Sequence, residues 1–408
     1  MRLYRVRSID EVLDVIKENF THLSAEQVDL LNAGGRVAAE NIYATEDVPA
    51  FDRSTVDGYA VKAADTFGAS ESIPALLNLS GQVKMGEKAD VLPPSAVIYV
   101  PTGGMLPEGA DAVVMIEHTE LLDDLLNLYK QAAPGDGVIK KGEDVSCGFL
   151  VLKQGSVLRA AEIGLLASLG IAEIKVTKKP VVAVLSTGDE IQPWDSPKLE
   201  IGQIRDSNAP AIMELAKQAG AKVFYGGIVK DDYDVLRTKA EELLTKSDML
   251  VLSGGSSVGV KDFTCRLLGE LGGSLLVEGV AVQPGKPTLM ASCNGKAILG
   301  LPGHPVSALN IFNLVGKAVL AQMLGQAESL WQPTVKAVLT HNIASQPGRT
   351  DMVRVVLSLD SECNIQATPV FGRSGLLRTL KEADGIVTVA ANTEGILAGK
   401  TVEVVLIS

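Results

Sequence analysis

The stretch VVAVLSTGDE at residues 181–190 decides the fold class of this chain. It begins as a continuous apolar run, which is typical of a strand buried on both faces, and it ends in a polar turn. Two later stretches repeat this design, MLVLSGGSSVG at 249–259 and AILGLPGHPVSA at 297–308. Helical spacing of apolar residues occurs between and after them, at 209–219, 232–244, 262–271 and 305–324. This alternation of strands and helices predicts a doubly wound α/β sheet.

Further domains are predicted around this α/β segment. Helical spacing at 8–19 follows a capping box of Ser8 and Glu11, and a second helix is predicted from Ser24 to about Gly34. Helical spacing returns at 160–169, whereas the segment between is rich in Val, Pro and Gly with short strand-like runs. We therefore predict a multidomain α/β plus β protein. A discontinuous helical N-terminal domain comprises residues 1–42 and 141–176, and a β-rich domain at 43–140 is inserted into it. A central α/β domain at 177–328 and a small C-terminal β domain at 329–408 follow.

Composition limits the classes of function. A formal net charge of −12 and an aromatic content of only 4% argue against nucleic acid or an anionic membrane as a partner. No apolar run approaches the ~18 residues typical of a membrane span, so we expect no membrane segment. The 4 cysteines include no CxxC pair, and the N-terminus reads as an amphipathic helix rather than a secretory signal. We therefore expect a cytoplasmic protein with reduced thiols.

Each repeated stretch ends in a loop rich in Gly, Ser, Thr or Pro, and the loops are predicted to share one edge of the sheet. Glycine lets the backbone approach a ligand closely, while hydroxyls and free amides at a strand-to-helix turn can hold a phosphate or another oxyanion. One such loop would be explained by the needs of a tight turn, but several at one edge favour a binding site. The candidate ligand-binding residues are Ser186, Thr187, Gly188, Asp189, Ser253, Gly254, Gly255, Ser256, Ser257, Pro302, Gly303 and Pro305.

Acidic residues accompany these loops. Glu190 ends the first loop, Asp231 follows the next predicted strand, and Asp262 begins a predicted helix. Carboxylates near a phosphate site are the hard oxygen ligands that Mg²⁺ prefers, so these are the candidate metal ligands. For Asp262, an ordinary helix N-cap is an equal alternative. Lys286 lies between two turns in PGKP at 284–287, and it either pairs with a phosphate or is a solvated loop lysine.

The sequence contains none of the common nucleotide or nucleophile motifs. It has no P-loop, no GxGxxG and no GxSxG, and its histidines lack metal-ligand spacing such as HExxH. Among the histidines, only His304 lies in a candidate ligand loop. In the inserted region, FDRSTVDGYA at 51–60 and PTGG at 101–104 are dense in polar groups, although turns at strand ends would explain them equally well.

Several segments, in this order along the chain, resemble the molybdopterin molybdenumtransferase (MoeA) family, whose animal relative is the C-terminal domain of gephyrin. They are FDRSTVDGYA (51–60), PTGG…EGADAVV (101–114), KGEDV (141–145), STGDE (186–190), GQIRDSN (202–208), SGGSSVG (253–259), PGKP (284–287) and LPGHPVSA (301–308). The α/β segment alone is also similar to smaller molybdopterin adenylyltransferases, which lack the N-terminal segments. The resemblance implies an elongated homodimer whose active site lies between the α/β domain of one subunit and the inserted domain of the other.

The resemblance also implies a reaction in which adenylylated molybdopterin and molybdate give molybdenum cofactor and AMP, with Mg²⁺ required. Asp57 and Thr102 match functional residues of the inserted domain. Glu190, Asp231 and Asp262 match functional acids, which we assign to Mg²⁺ and the hydrolytic step. Further candidate substrate contacts are Asn208, Lys286, Pro302, Pro305, Ser374 and, for molybdate, Arg349 or Arg354.

Departures from the family pattern leave the oxyanion contacts open. His304 stands where many relatives have Asn, and Gly279 and Gln283 stand where some have lysines. Lys140 and Lys141 replace a basic pair that is often arginine, and lysine keeps the charge without a rigid bidentate fork. Tungstate is therefore an alternative to molybdate. The alternative functions are a molybdopterin adenylyltransferase and a noncatalytic cofactor-binding scaffold; the implied partners are an upstream adenylyltransferase and downstream molybdenum-cofactor proteins.

Overall fold

The computed structural model describes residues 6–254, 257–326 and 333–407, and at 257–262 and 264 it describes the backbone alone. The chain opens with helix α1 (Ile9–Asn19), whose predicted capping box is confirmed: the Ser8 hydroxyl accepts from the Glu11 amide at 3.2 Å. The apolar side chains of α1 pack into the core of the α/β segment. The predicted domain boundaries stay a proposal. Helix α1, which was predicted to belong to the N-terminal domain, packs on the α/β segment.

The predicted second helix is wrong. Ala25–Asp29 form strand β1, in which exposure alternates so that Val28 packs toward a core while its neighbours face solvent. A 3₁₀ turn at Leu30–Asn32 follows. The next elements are β2 (Ile42–Tyr43), β3 (Arg53–Ser54), β4 (Gly58–Val61), β5 (Ala75–Gln82), β6 (Ala96–Val100), β7 (Ala112–Met115), β8 (Thr119–Leu122), β9 (Leu125–Leu128), β10 (Val138–Ile139), β11 (Leu150–Leu152), α2 (Ala160–Ser168) and β12 (Glu173–Thr177).

The inserted region is a β domain, as predicted. Its six-stranded sheet has the order β7-β4-β6-β5-β9-β8, and apolar cores lie on both faces. The short pairings β1–β12 and β2–β11 join the chain segments that flank this sheet. They surround a separate small core that includes α2.

The α/β segment contains a second six-stranded sheet, in the order β16-β13-β17-β21-β20-β18. Strands β16, β13, β17 and β21 run parallel to one another. Strand β20 is antiparallel to β21, and the edge strand β18 is antiparallel to β20. The elements are β13 (Val181–Thr187), β14 (Ile191–Gln192), β15 (Ile204–Arg205), α3 (Asn208–Gln218), β16 (Lys222–Val229), α4 (Tyr233–Lys246), β17 (Met249–Gly254), α5 (Ser257–Leu271), β18 (Ser274–Glu278), β19 (Val282–Gln283), β20 (Leu289–Cys293), β21 (Lys296–Leu301), α6 (Pro305–Ile311) and α7 (Lys317–Leu324).

Helices cover both faces of this sheet, which confirms the doubly wound prediction. Alternate residues of β13 point to opposite sides: Val182 and Val184 pack with α1, α3, α6 and α7, whereas Ala183 and Leu185 pack with α4 and α5. A π-helical turn at Phe312–Gly316 joins α6 to α7. The continuous helix Pro305–Leu324 has the length and mean hydropathy of a membrane span, but 67% of its apolar window is buried in the protein, as in an ordinary core helix.

The C-terminal segment forms a closed barrel. Its elements are β22 (Thr334–Leu339), β23 (Ile343–Ala344), β24 (Thr350–Leu359), β25 (Ile365–Pro369), α8 (Arg378–Lys381), β26 (Gly385–Val389), β27 (Gly395–Ile396) and β28 (Thr401–Leu406). The order β24-β25-β22-β28-β26 closes on itself because β26 also pairs with β24. Strand β19 of the α/β segment pairs with β24, so the backbone fastens the barrel to the α/β domain.

Candidate active site

The glycine- and serine-rich loops meet at the carboxyl edge of the α/β sheet, as predicted. Ser186 at the end of β13 lies opposite Ser253 on β17, and Ser253 lies opposite Leu301 on β21. Asn208, the first residue of α3, ties two of the loops together. Its side-chain amide donates to Ser253 Oγ at 3.0 Å and to the Gly303 carbonyl at 2.9 Å.

Two polar atoms at this edge are buried without a hydrogen-bond partner in the described part of the chain: Ser186 Oγ and Asn208 Oδ1. Ser186 is 1% exposed and Asn208 is 8% exposed. A buried polar atom without a partner costs about 1–3 kcal/mol, so a ligand that supplies the partner recovers that free energy. The carboxyl edge of the sheet therefore holds hydrogen-bonding capacity that the described residues do not use.

Two glycines allow these strand ends to approach each other. Gly254 has a φ of +109°, and a Cβ there would stand 2.2 Å from the Thr187 carbonyl oxygen. Gly188 has a φ of +146°, and a Cβ there would stand 2.6 Å from Glu190 Oε2. Position 254 therefore requires glycine for space and for backbone conformation, whereas position 188 requires it for backbone conformation, because the Glu190 side chain could move aside.

Carboxylates gather beside the first loop. The Asp231 amide donates to Asp189 Oδ1 at 3.4 Å, and burial together with the charges of Asp189 and Glu190 raises the pKa of Asp231. Such a concentration of negative charge suits a hard cation. No group of three or more His, Cys, Asp or Glu side chains among the described residues is arranged to hold a metal by itself. Mg²⁺, however, commonly uses one or two carboxylates and completes its shell with water and substrate phosphate.

Asp262 is not a helix N-cap. Helix α5 begins at Ser257, so Asp262 lies inside the helix, and the capping alternative is wrong because the helix starts within the predicted loop. The side chains of Ser257 and Asp262 lie outside the described part of the chain, as do Gly255 and Ser256 entirely. The assignment of Asp262 to a metal stays a prediction.

Asp206 was missed by the sequence reasoning, although it lies in the motif GQIRDSN. It is 3% exposed and accepts hydrogen bonds from the Ala209 amide at 3.1 Å and from the Tyr225 hydroxyl at 3.0 Å. Burial and the Asp206 charge raise the pKa of Tyr225. The ring of Trp194 packs edge-on against Tyr225 at 4.7 Å. Asp206 thus fixes the start of α3, and with it the position of Asn208.

A cavity of about 720 Å³ lies between the α/β segment and the barrel. Arg354, on β24, lines it and is 8% exposed; its Nε has no hydrogen-bond partner among the described residues, and its Nη2 is 3.5 Å from the Gly372 carbonyl. Burial lowers the pKa of Arg354. By contrast, Arg349 is held by Asp351 at 2.9 Å. Of the two arginines predicted for molybdate, Arg354 is therefore the one that lines the cavity and has no carboxylate partner among the described residues.

The barrel loop at 370–376 completes this cavity. Ser374 Oγ lies 2.9 Å from His304 Nδ1, and the Ser374 carbonyl accepts from the Val306 amide at 3.0 Å. Arg373 also lines the cavity and was missed, although it directly precedes Ser374 in the sequence. Lys286 is exposed in the turn after β19, and its ammonium group has no ion pair with any described residue. Pro302 is buried beside this loop and Pro305 begins α6.

Asp57 and Thr102 are paired in the inserted domain. Asp57 Oδ1 accepts from the Thr102 amide at 2.7 Å and from the Thr102 hydroxyl at 3.0 Å. Among the described residues, no hydrogen bond joins either of them to the α/β segment of the same chain. Within one chain, hydrogen bonds therefore link α/β and barrel residues of the predicted site, whereas none among the described residues links the inserted-domain pair to them.

Family models match the chain in three consecutive parts. The MoeA N-terminal region (domain I and II) matches residues 7–170, a probable molybdopterin binding domain matches 183–322, and the MoeA C-terminal region (domain IV) matches 336–407. The chain belongs to the MoeA family. The resemblance seen in the sequence motifs and the four-domain fold class are thereby confirmed.

Relatives of this MoeA protein match over nearly its whole length. The molybdopterin molybdenumtransferase of Bacillus subtilis is 35% identical over 388 residues, covering 94% of this chain and 90% of the relative. That of Staphylococcus aureus is 32% identical over 399 residues, covering 98% and 95%. A crystal structure of a molybdopterin biosynthesis MoeA protein from Pyrococcus horikoshii OT3 has a TM-score of 0.84 at 29% identity, covering 99% of this chain and 100% of that one.

Proposed function

We propose that this protein is a molybdopterin molybdenumtransferase, which uses adenylylated molybdopterin and molybdate to form molybdenum cofactor and AMP. The observation that carries the proposal is the full-length match to enzymes of that name, including the N-terminal region that smaller adenylyltransferases lack. The enzyme is accordingly a transferase. The geometry at the carboxyl edge of the α/β sheet supports this assignment.

The phosphate-bearing end of the substrate is assigned to the α/β loops. Ser186 Oγ and Asn208 Oδ1 are buried polar atoms in need of partners, and the neighbouring glycines let backbone amides come close to a ligand. The free hydroxyl of Ser186 can donate to a phosphate oxygen, while Asn208 Oδ1 can accept from a pterin N–H group. Together these groups would orient the substrate without a positively charged surface.

Molybdate is assigned to the cavity beside the barrel. Arg354 is a buried cation without a carboxylate partner among the described residues, and its charge is compensated when an oxyanion enters. Ser374 offers a hydroxyl at the same wall, and Lys286 lies in the adjoining turn. Because these groups recognise a tetrahedral dianion by charge and hydrogen bonding, tungstate is an alternative substrate.

Magnesium is assigned to the acidic edge of the first loop. Glu190 and Asp231 are the candidate ligands, and Asp262 is a third that follows from the family motif alone. The raised pKa of Asp231 marks a place where added positive charge is favourable. Bound there, Mg²⁺ would withdraw charge from the phosphoanhydride that is cleaved to AMP. The chain's own carboxylates would hold the ion and position the attacking oxygen.

A homodimer would complete the site. Asp57 and Thr102 form a rigid pair in the inserted domain but have no hydrogen bond to the α/β segment of their own chain among the described residues. We therefore propose that the inserted domain of a second copy supplies them. The cytoplasm is the proposed location, supported by free cysteines at all 4 positions.

The test uses the purified full chain with adenylylated molybdopterin, Mg²⁺ and molybdate, and follows AMP release and transfer of active cofactor to an apo-enzyme. AMP release that requires molybdate, with active cofactor formed, supports the proposal. ATP-dependent adenylylation of molybdopterin by the chain alone would instead identify an adenylyltransferase. Tight binding without AMP release or cofactor formation would identify a scaffold.

A further inference from the structure

A side-chain hydrogen bond connects the α/β domain to the barrel at the wall of the proposed molybdate cavity. His304 Nδ1 and Ser374 Oγ are 2.9 Å apart although the residues are separated by 70 positions in the chain. The backbone bond from the Val306 amide to the Ser374 carbonyl, at 3.0 Å, holds the serine in place. Both side chains line the same cavity as Arg354. The pair is therefore fixed in position but free in the direction of its hydrogen bond.

The direction of that bond decides what Ser374 can offer an anion. A serine hydroxyl carries one proton, so it can donate to the histidine or to an oxyanion, but not fully to both. If the Nδ1 of His304 lacks a proton, it accepts from Ser374, and the serine then presents lone pairs to the cavity. If Nδ1 carries a proton, it donates to Ser374 Oγ, and the hydroxyl proton is released to point at the anion.

We propose that His304 is a positioning residue that makes oxyanion binding stronger at lower pH by turning the Ser374 hydroxyl toward the anion. The inference rests on the proposed function, since it assigns molybdate to this cavity. A histidine changes charge between about pH 5 and 8, and in the imidazolium form both ring nitrogens are donors. Protonation therefore enforces the arrangement in which Ser374 donates to the ligand, and it adds a positive charge at the cavity wall.

The charged groups around His304 permit this behaviour. Arg354 and Asp351 face the cavity from β24, Arg373 from the barrel loop, and Lys286 lies in the turn after β19. Asp351 is engaged by Arg349 Nε and by Ser345 Oγ, each at 2.9 Å. No carboxylate of the described residues forms an ion pair with His304. An entering dianion would thus be the charge partner of the imidazolium.

The test measures binding of molybdate to the full chain by equilibrium dialysis at about pH 6 and pH 8, with sulfate as a second probe whose charge is constant over this range. One additional hydrogen bond to the anion predicts binding about fivefold tighter at the lower pH. His304→Asn keeps a side-chain donor at every pH, so its affinity should be high and independent of pH. His341→Asn is the matched control, because His341 Nδ1 also lies 2.9 Å from a hydroxyl, that of Thr340, but outside the cavity.

The outcomes separate this inference from the proposed function. The inference is supported if the wild type and His341→Asn bind more tightly at pH 6 while His304→Asn shows no pH dependence. The role of His304 is overturned if the anion affinity of the wild type does not change with pH, or if the pH dependence persists in His304→Asn. The proposed insertase activity still stands in that case if AMP release requires molybdate. If neither anion binds and AMP release does not respond to molybdate, the cavity assignment and the proposed function both fall.

Discussion

Replacing Ser186 with Ala should move stability and ligand binding in opposite directions. The hydroxyl is 1% exposed and has no hydrogen-bond partner in the described chain, so the folded protein without ligand gains nothing from it. Removing an unpartnered buried polar atom should raise the free energy of unfolding of the α/β domain, by up to about 1 kcal/mol. If the hydroxyl donates to the substrate phosphate, the same change should weaken binding of adenylylated molybdopterin about fivefold, the equivalent of one hydrogen bond.

Amide hydrogen exchange of strand β13 would report the stability of this domain, and titration with adenylylated molybdopterin would report affinity. Ser247→Ala is the matched control, because its buried hydroxyl already donates to the Leu243 carbonyl at 2.9 Å before β17 begins, at the opposite edge of the sheet. That variant should lose about 1 kcal/mol of stability and keep full affinity. If Ser186→Ala instead lost stability and bound substrate normally, its hydroxyl would be an ordinary structural group and the assignment to the phosphate would be refuted.

Three further variants and one control test the assignments of Arg354, Asp231 and Asp57. Arg354→Met should raise the KM for molybdate at least about tenfold without lowering stability, because it removes a buried cation that has no carboxylate partner among the described residues; steady-state AMP release and thermal unfolding check both parts. Asp231→Ala should stabilise the ligand-free protein at neutral pH while raising the Mg²⁺ concentration needed for half-maximal activity. An acid whose pKa is raised in the folded state binds its proton more tightly in the folded than in the unfolded protein. Ionisation of Asp231 therefore lowers the free energy of unfolding as pH rises, and protonation restores it as pH falls. The neighbouring Asp232→Ala should do the reverse, losing about 1 kcal/mol because Asp232 caps α4 through the Val235 amide at 3.0 Å, with the Mg²⁺ requirement unchanged. Asp57→Asn should abolish cofactor formation while the sedimentation profile stays that of the wild type, since its partner Thr102 lies in the same domain; near-normal activity would contradict its catalytic assignment.

The α/β fold was predictable because its strands are buried on both faces and therefore read as unbroken apolar runs. Val181–Thr187 and Met249–Gly254 are almost entirely buried. Helix α5 follows the second strand, helix α3 follows the first after two short strands, and both helices pack apolar side chains on the sheet. The error at Ala25–Asp29 has the opposite origin. That strand is half exposed, so propensity and a capping-like Ser24 favoured a helix, whereas pairing with β12 stabilises the strand.

The candidate site was predictable where ligand groups follow strands and unpredictable where they meet through tertiary contacts. Ser186 and Ser253 could be placed at one edge because parallel strands end together. The choice of Arg354 over Arg349 could not be made from sequence, because it depends on Asp351 engaging one of the two arginines. The contact between His304 and Ser374 could not be predicted from sequence either, because it depends on how the barrel packs on the α/β domain.

The pairing of β19 with β24 determines which segments must move together when the barrel is exchanged between MoeA proteins. The register places Gln283 opposite Asp351, so main-chain bonds set the alignment of the cavity wall independently of side-chain identity. A graft of the barrel alone, residues 333–407, would separate β24 from the short strand against which it is registered. A transplant that carries Val282 and Gln283 with the barrel should keep Arg354 and Ser374 aligned with the cavity wall, while the recipient's α/β domain still supplies the residues at positions 286 and 304.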